Sequence, residues 1–289
     1  MNFWSLLLAA SIDAPGVLGS DAGKPRSAAQ RGSAPGRFLA AAALLGSLLI
    51  AGPVAADLPQ VIERVKPSVV VVGTYQRTRS PQFMMRGTGF VVGDGRHVAT
   101  NSHVLPEKID EAAGEVLVIV ARSAAANVQQ RAAQSVAVDK EHDLALLRID
   151  GAALPALSLQ AAGTVREGQS VAFTGFPIGA VLGLSPVTHR GIISAVTPIV
   201  LPGANSSKLN AKVIQRLRSG SFDIYQLDAT AYPGNSGGPL YDAGDGEVVG
   251  IINMVFVKET KESILSKPSG ISFAIPIQFL RELMQDANQ

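Results

Sequence analysis

No cysteine occurs among the 289 residues, which excludes a disulfide framework and any cysteine-ligated metal site. If the chain is exported, packing alone must hold it. Charge of either sign is also scarce in excess: the formal net charge is +2, which gives no argument for a nucleic-acid partner. Charged residues are 17% of the chain against 47% hydrophobic, so a disordered polymer is excluded and a folded globular one remains. Nothing in the residue pattern calls for a metal or a cofactor, and none is expected. What is present is glycine, 29 residues, and proline, 17, between many short Val/Ile/Leu runs. That combination points to an all-β fold with numerous turns, in one large or two small domains.

Residues 1–36 are rich in Ala, Gly, Ser and Pro. Arg37 then opens a run without charge, Phe38–Gly52, followed by Pro53-Val54-Ala55-Ala56. A basic flank, an apolar core and small residues at −3 and −1 describe a secretory signal with cleavage after Ala56. The run is shorter than the ~20 residues of a bilayer span, so an uncleaved membrane anchor is the lesser reading. The leader ahead of Arg37 is long for such a signal; either the start lies too far upstream or the extension has another role. Without residues 1–56 the chain carries equal numbers of acidic and basic side chains.

The stretch Tyr232-Pro-Gly-Asn-Ser-Gly-Gly-Pro-Leu240 cannot be helix or strand interior, because Pro233 and glycines 234, 237 and 238 interrupt both. Strand-like runs flank it, Phe222–Leu227 and Val248–Val257. A serine on such a turn exposes its hydroxyl beside converging backbone N–H groups, the arrangement acyl transfer requires. An ordinary hairpin turn would use the same residues. Gly234–Gly238 also fits the G-x-S-x-G elbow, in which the acid and histidine follow the serine. No histidine follows His189, so any histidine partner precedes Ser236, in the order His…Asp…Ser.

Short apolar runs at Ser68–Tyr75, Gly87–Val92, from Arg96, Val116–Ala121, Ser135–Val138 and Leu144–Ile149 predict a first set of strands. Val171–Gly175, Gly191–Val196, Ile224–Leu227, Val248–Val255 and Ile271–Ala274 predict a second, joined through the irregular Gly151–Gly168. The expectation is two six-stranded antiparallel β-barrels, about 66–160 and 165–275, with a C-terminal helix at 277–286. Leu58–Val65 reads as a short amphipathic helix. Thr197–Ser221 is long for a connection, and Ser206–Leu217 within it reads helical with Lys208, Lys212 and Arg216 on one face. It is either a solvated surface insertion or a docking loop near the site.

Of the four histidines, His103 ends an apolar strand in a small polar turn, Thr100-Asn-Ser-His-Val, and can face a cleft between halves. His97, His142 and His189 default to structural roles. Asp143 stands at the mouth of the buried run Leu144–Leu147, where an aspartate needs a partner; Asp139 is the reserve. The resulting triad is His103, Asp143 and Ser236, with an oxyanion hole on the turn Gly234, Asn235, Ser236 whose donors are the N–H groups of Gly234 and Ser236.

Gly87-Thr-Gly-Phe…Thr-Asn-Ser-His103-Val, His142-Asp143-Leu-Ala-Leu-Leu and Asp228-Ala-Thr-Ala-Tyr-Pro-Gly-Asn-Ser236-Gly-Gly-Pro-Leu resemble the HtrA/Deg family of trypsin-fold serine proteases. Gly175-Phe-Pro-Ile-Gly179, Gly191–Ala195 and Gly270–Pro276 add to the resemblance, which covers about residues 58–285. It implies a trypsin-like double barrel with the site in the cleft between barrels. It further implies endoproteolysis of unfolded or misfolded proteins in the periplasm or cell envelope of a bacterium, and a homotrimer, with membrane anchoring if the signal stays uncut. The family's C-terminal PDZ modules have no counterpart after the last helix. The trypsin fold also implies that Thr230, six residues before Ser236, lies at the base of the primary specificity pocket beside Ala229 and Ala231. No aspartate is placed there to receive Arg or Lys, so cleavage after small or medium apolar residues is expected. Ile252, Asn253 and Met254 are expected to pair with an extended substrate. The reading from another class is a protease-like chaperone that holds unfolded chains with little turnover; a viral-type protease of the same fold conflicts with the export signal.

Overall fold

Runs of β-branched residues are disfavoured in helices and pack well on a pleated surface, and here they become strands. A computed structural model of the chain describes residues 57–122, 128–161, 165–177, 184–198, 222–254 and 270–287. The leader, its signal and the helical reading at Ser206–Leu217 lie outside the described residues. The strands are β1 (Val69–Gln76), β2 (Phe83–Val92), β3 (His97–Thr100), β4 (Glu115–Arg122), β5 (Val128–Asp139) and β6 (Leu144–Ile149), then β7 (Ser170–Gly175), β8 (Val187–Pro198), β9 (Asp223–Asp228), β10 (Pro239–Asp242), β11 (Val248–Asn253) and β12 (Ile271–Pro276). Helix α1 (Leu58–Val65) precedes them and α2 (Ile277–Asp286) follows.

All strand pairs are antiparallel, and they close two six-stranded barrels, β1-β2-β3-β6-β5-β4 and β7-β8-β9-β12-β11-β10. The path is the same in both: each strand of the first has its counterpart six strands later. Strand β10 corrects the five-run reading of the second half. It is four residues long and begins with proline, too short for a periodic signal. Leu240 and Tyr241, fully buried, hold it between β7 and β11, and the Tyr241 hydroxyl lies 2.8 Å from Thr174 Oγ1. Strand β5 begins at Val128, well before Ser135, and its first residues, mostly exposed and polar, form no apolar run.

Each barrel has its own interior, Val70, Val98, Ile119 and Leu147 in the first, Phe173, Leu227, Leu240 and Ile252 in the second. A third apolar layer joins them: Phe90, Ala99, Leu144 and Leu146 meet Val248, Ile251 and Ile275, with Ile277 and Leu280 of α2 against it. Fully burying one such side chain is worth about 1.5–3 kcal/mol, so this seam fixes the barrels against each other. Helix α1 seals the other side, where Val61 and Val65 pack with Val71, Ala172 and Tyr241. The connecting segment bonds to both barrels: Leu154 and Leu157 donate N–H to Gly95 and Val91, and Gln160 donates to Val248.

Candidate active site

The first barrel contributes two side chains. Strand β3 ends just before Asn101, and the chain continues into a single 3-10 turn, Ser102–Val104, anchored by buried Val104. The His103 side chain is left 32% exposed. In the β5–β6 turn, Asp139 Oδ1 accepts the N–H groups of Glu141 (2.9 Å) and His142 (3.0 Å), which curls the chain so that Asp143 opens β6. Asp143 has φ +55°, the one non-glycine residue of positive φ among the described residues. Aspartate tolerates this left-handed backbone better than most side chains.

Asp143 is 4% exposed, and its carboxylate is almost fully bonded. Oδ2 lies 2.6 Å from His103 Nδ1 and accepts Asn253 Nδ2 at 2.7 Å. Oδ1 accepts the Ser102 hydroxyl at 2.6 Å and the His103 N–H at 2.9 Å. Burial pushes this carboxyl's pKa up, but the His103 imidazole, the Ser102 hydroxyl and the His103 N–H together outweigh it and hold the pKa below the ordinary carboxylate value. An ionised carboxylate only accepts, so Nδ1 carries the ring proton and Nε2 of the neutral ring is the free base.

The second barrel contributes a turn. The Asn235 N–H donates to the Tyr232 carbonyl at 3.0 Å, with Pro233 and Gly234 at the turn's centre. Gly234 has φ +104°, the conformation a type II turn needs at its third position. Its place is also sterically closed, since a Cβ there would lie 2.3 Å from the Phe176 carbonyl oxygen. Thr88 in β2 donates its N–H to Ser236 O at 2.9 Å and its hydroxyl to Gly234 O at 2.6 Å. The N–H groups of Gly234 and Ser236 donate to no described residue. Two unpaired amides flanking a serine can hold an oxyanion.

The other residues singled out from the sequence take varied positions. Ser102, a second serine beside the histidine, has its hydroxyl committed to Asp143. Asn235 offers no N–H to an oxyanion, because that group is spent on Tyr232; its side chain is buried without a partner among the described residues. Ile252 is fully buried, and its N–H and carbonyl bond to Gly238 and Gly237, so it is not available to a substrate strand. The Asn253 side chain turns to Asp143 rather than to substrate. Met254 is half-buried against the second barrel's core. Thr230 is half-buried, and buried Ala231 donates its N–H to Ser272 Oγ, which in turn donates to the Ala229 carbonyl. Asp139, the reserve acid, pairs with His142 at 2.5 Å and not with His103. His142 stacks on Phe279 and meets Phe222 edge-on. His97 pairs with Asp94. His189 stacks on Phe173, and burial lowers its pKa. Ser272, and the part Asn253 plays at Asp143, were legible only indirectly, as polar residues in apolar strands that require partners.

The chain's likenesses agree with this geometry. The family described as "Trypsin-like peptidase domain" matches residues 87–251, a span holding His103, Asp143 and Ser236. A probable periplasmic serine endoprotease, DegP-like, of Halomonas elongata is 32% identical over 195 residues, covering 66% of this chain and 32% of the relative. The serine protease HTRA1A of Danio rerio is 30% identical over 234 residues, covering 80% of this chain and 41% of the relative. Among solved structures, an HtrA-type protease AlgW with a tripeptide superposes with a TM-score of 0.56 at 28% identity, covering 80% of this chain and 63% of that one. The chain thus spans less than half of the length of these two curated relatives.

Proposed function

Because the chain belongs to the trypsin-like peptidase family, and within it to the HtrA/Deg type, we propose that it is a serine endopeptidase of unfolded or misfolded protein chains. The observation that carries this is the buried Asp143 carboxylate 2.6 Å from His103 Nδ1, together with a serine turn of the second barrel on which the Gly234 and Ser236 amides have no partner among the described residues. His103 Nε2 takes the Ser236 hydroxyl proton as the oxygen attacks the scissile carbonyl, and Asp143 stabilises the imidazolium that forms. The Gly234 and Ser236 amides bind the tetrahedral oxygen, each donor worth about 2.7–4 kcal/mol of barrier. His103 then gives the proton to the leaving amine as the C–N bond breaks, and a water, deprotonated by the same Nε2, attacks the acyl-serine to release the carboxylic acid and restore the Ser236 hydroxyl.

Thr230 and Ala231, without a carboxylate, support cleavage after small or medium apolar residues. An extended chain has to be free of its own fold to lie in the groove beside Met254, which supports unfolded substrates. The name of the DegP-like relative supports action in the periplasm or cell envelope of a bacterium. A homotrimer belongs to the same proposal, with membrane anchoring only if the signal stays uncut; mass photometry and cell fractionation read the two. The deciding experiment is casein digestion by parent and Ser236→Ala protein, with fluorophosphonate labelling mapped to its peptide. Equal digestion rates with no label on Ser236 end the hydrolytic reading built on Ser236, and label on another residue reassigns the nucleophile.

A further inference from the structure

We infer that Thr88, a first-barrel residue with no acid–base chemistry, is a positioning residue that holds the oxyanion turn of the second barrel in its donating form. The inference rests on the hydrolytic reading above. Thr88 is fully buried in Gly87-Thr-Gly-Phe, where the interior of a strand would be filled more simply by an apolar side chain. Instead, all its polar groups are used, and three of the bonds go to the second barrel. Its N–H donates to Ser236 O at 2.9 Å. Its hydroxyl donates to Gly234 O at 2.6 Å and accepts the Phe176 N–H at 3.1 Å. Its carbonyl accepts the Thr100 hydroxyl at 2.7 Å, which ties the residue back to β3. Because the Phe176 N–H can only donate, the hydroxyl proton is left for Gly234 O.

The consequence for the turn is geometric. A peptide's carbonyl and N–H point in opposite directions. Thr88 holds the Gly234 carbonyl while Tyr232 holds the N–H of the same peptide, so that plane is pinned at both edges. The Ser236 carbonyl is pinned by the Thr88 N–H. Gly234 itself, with no Cβ and φ +104°, would otherwise rotate readily. The Ser236 N–H shares its peptide with the Asn235 carbonyl, which accepts the Gly238 N–H at 2.9 Å, and the Gly234 N–H lies one residue before the pinned Gly234 carbonyl. Thr88 thus fixes the peptide planes next to both donors, which limits the rotation by which either amide could turn away. The hydroxyl at residue 88 therefore acts on the developing oxyanion through the turn and touches no reacting atom. It links one barrel's wall directly to the other's catalytic backbone: one side chain holds the two barrels' contributions in register.

The test compares Thr88→Val, Thr88→Ala and Thr88→Ser in the full chain, on a peptide reporter with a small apolar residue before the cut. Val replaces the hydroxyl with a methyl group, Ala removes it without adding bulk, and Ser keeps it. Val and Ala are expected to lower kcat by about 10–100-fold, less than the loss of a whole oxyanion donor, with KM within about threefold. Binding of a peptide boronate, whose tetrahedral oxygen occupies the same hole, should weaken in parallel with kcat. Ser should recover kcat to within about threefold of the parent. Folded Val and Ala proteins with parental kcat overturn the inference, as does a Ser variant as slow as Val, which would assign the effect to the lost methyl group. If Val proves too disruptive to fold, the Ala and Ser pair decides alone. A Ser236→Ala protein as active as the parent removes the hydrolytic reading and this inference together. An inactive Ser236→Ala protein beside a fully active Thr88→Ala protein removes only the inference.

Discussion

The two barrels follow the same strand path, yet they deliver chemistry in different ways. His103 follows β3, and Ser236 lies between β9 and β10, which is the same connection six strands later. Asp143 opens β6, and Asn253 ends β11, so these too belong to corresponding connections, and they meet at 2.7 Å. In the proposed reaction the first barrel supplies the side chains of charge and proton, on backbone that needs one left-handed residue, Asp143. The second supplies backbone N–H groups and a hydroxyl, on a turn that needs glycine at 234 and 237. One architecture thus supports a titratable half and a preorganised dipolar half, and the two tolerate different substitutions.

The largest test of that contrast is Asp143→Asn. Asparagine also accepts a positive φ, so the backbone survives while the charge and the histidine tautomer are lost; kcat should fall about 10⁴-fold with the fold intact by circular dichroism. Phe90→Ala attacks what the halves share, the seam, and should cost about 3–5 kcal/mol in denaturant unfolding. On the dipolar side, Gly234→Ala puts a Cβ on left-handed backbone 2.3 Å from the Phe176 carbonyl oxygen. It should cut kcat about 100-fold, with little change where His103 and Asp143 meet. Smallest is the acid response. Asp143, its pKa lowered from 3.8, contributes stability that is complete above that value and is lost as pH falls through the lower folded value. His189, lowered from 6.5 by burial, binds its proton more readily unfolded, so its contribution is full above pH 6.5 and wanes below it. His189→Phe should flatten thermal stability just below pH 6.5 and leave the more acidic Asp143 phase in place.

The titratable half was easy to read from the residues alone, and the dipolar half was harder. Histidine, aspartate and serine are scarce enough beside buried strands that order and position single them out, and the barrel strands are mostly strong apolar runs. Glycines 234 and 237 announced a special turn, but not what would hold its amides toward the groove. That depends on Thr88, which is far from Ser236 in the chain and reads locally as an ordinary strand residue. Strand β10 was hidden by its length, and the Asn253–Asp143 bond by a sequence separation of 110 residues. Ile252 reads as a substrate strand until one sees that the glycine turn has already taken its backbone bonds.

A single irregular segment between β6 and β7 joins two sheets that are each closed on themselves. Opening the chain there would leave an amino-terminal piece holding an imidazole and a carboxylate but no nucleophilic alcohol, and a carboxy-terminal piece with the reverse. If the proposed peptidase activity holds, neither piece alone could cut a peptide and reassembly along the apolar seam would restore hydrolysis, which suits the molecule to a split reporter whose signal counts the meeting of its two halves.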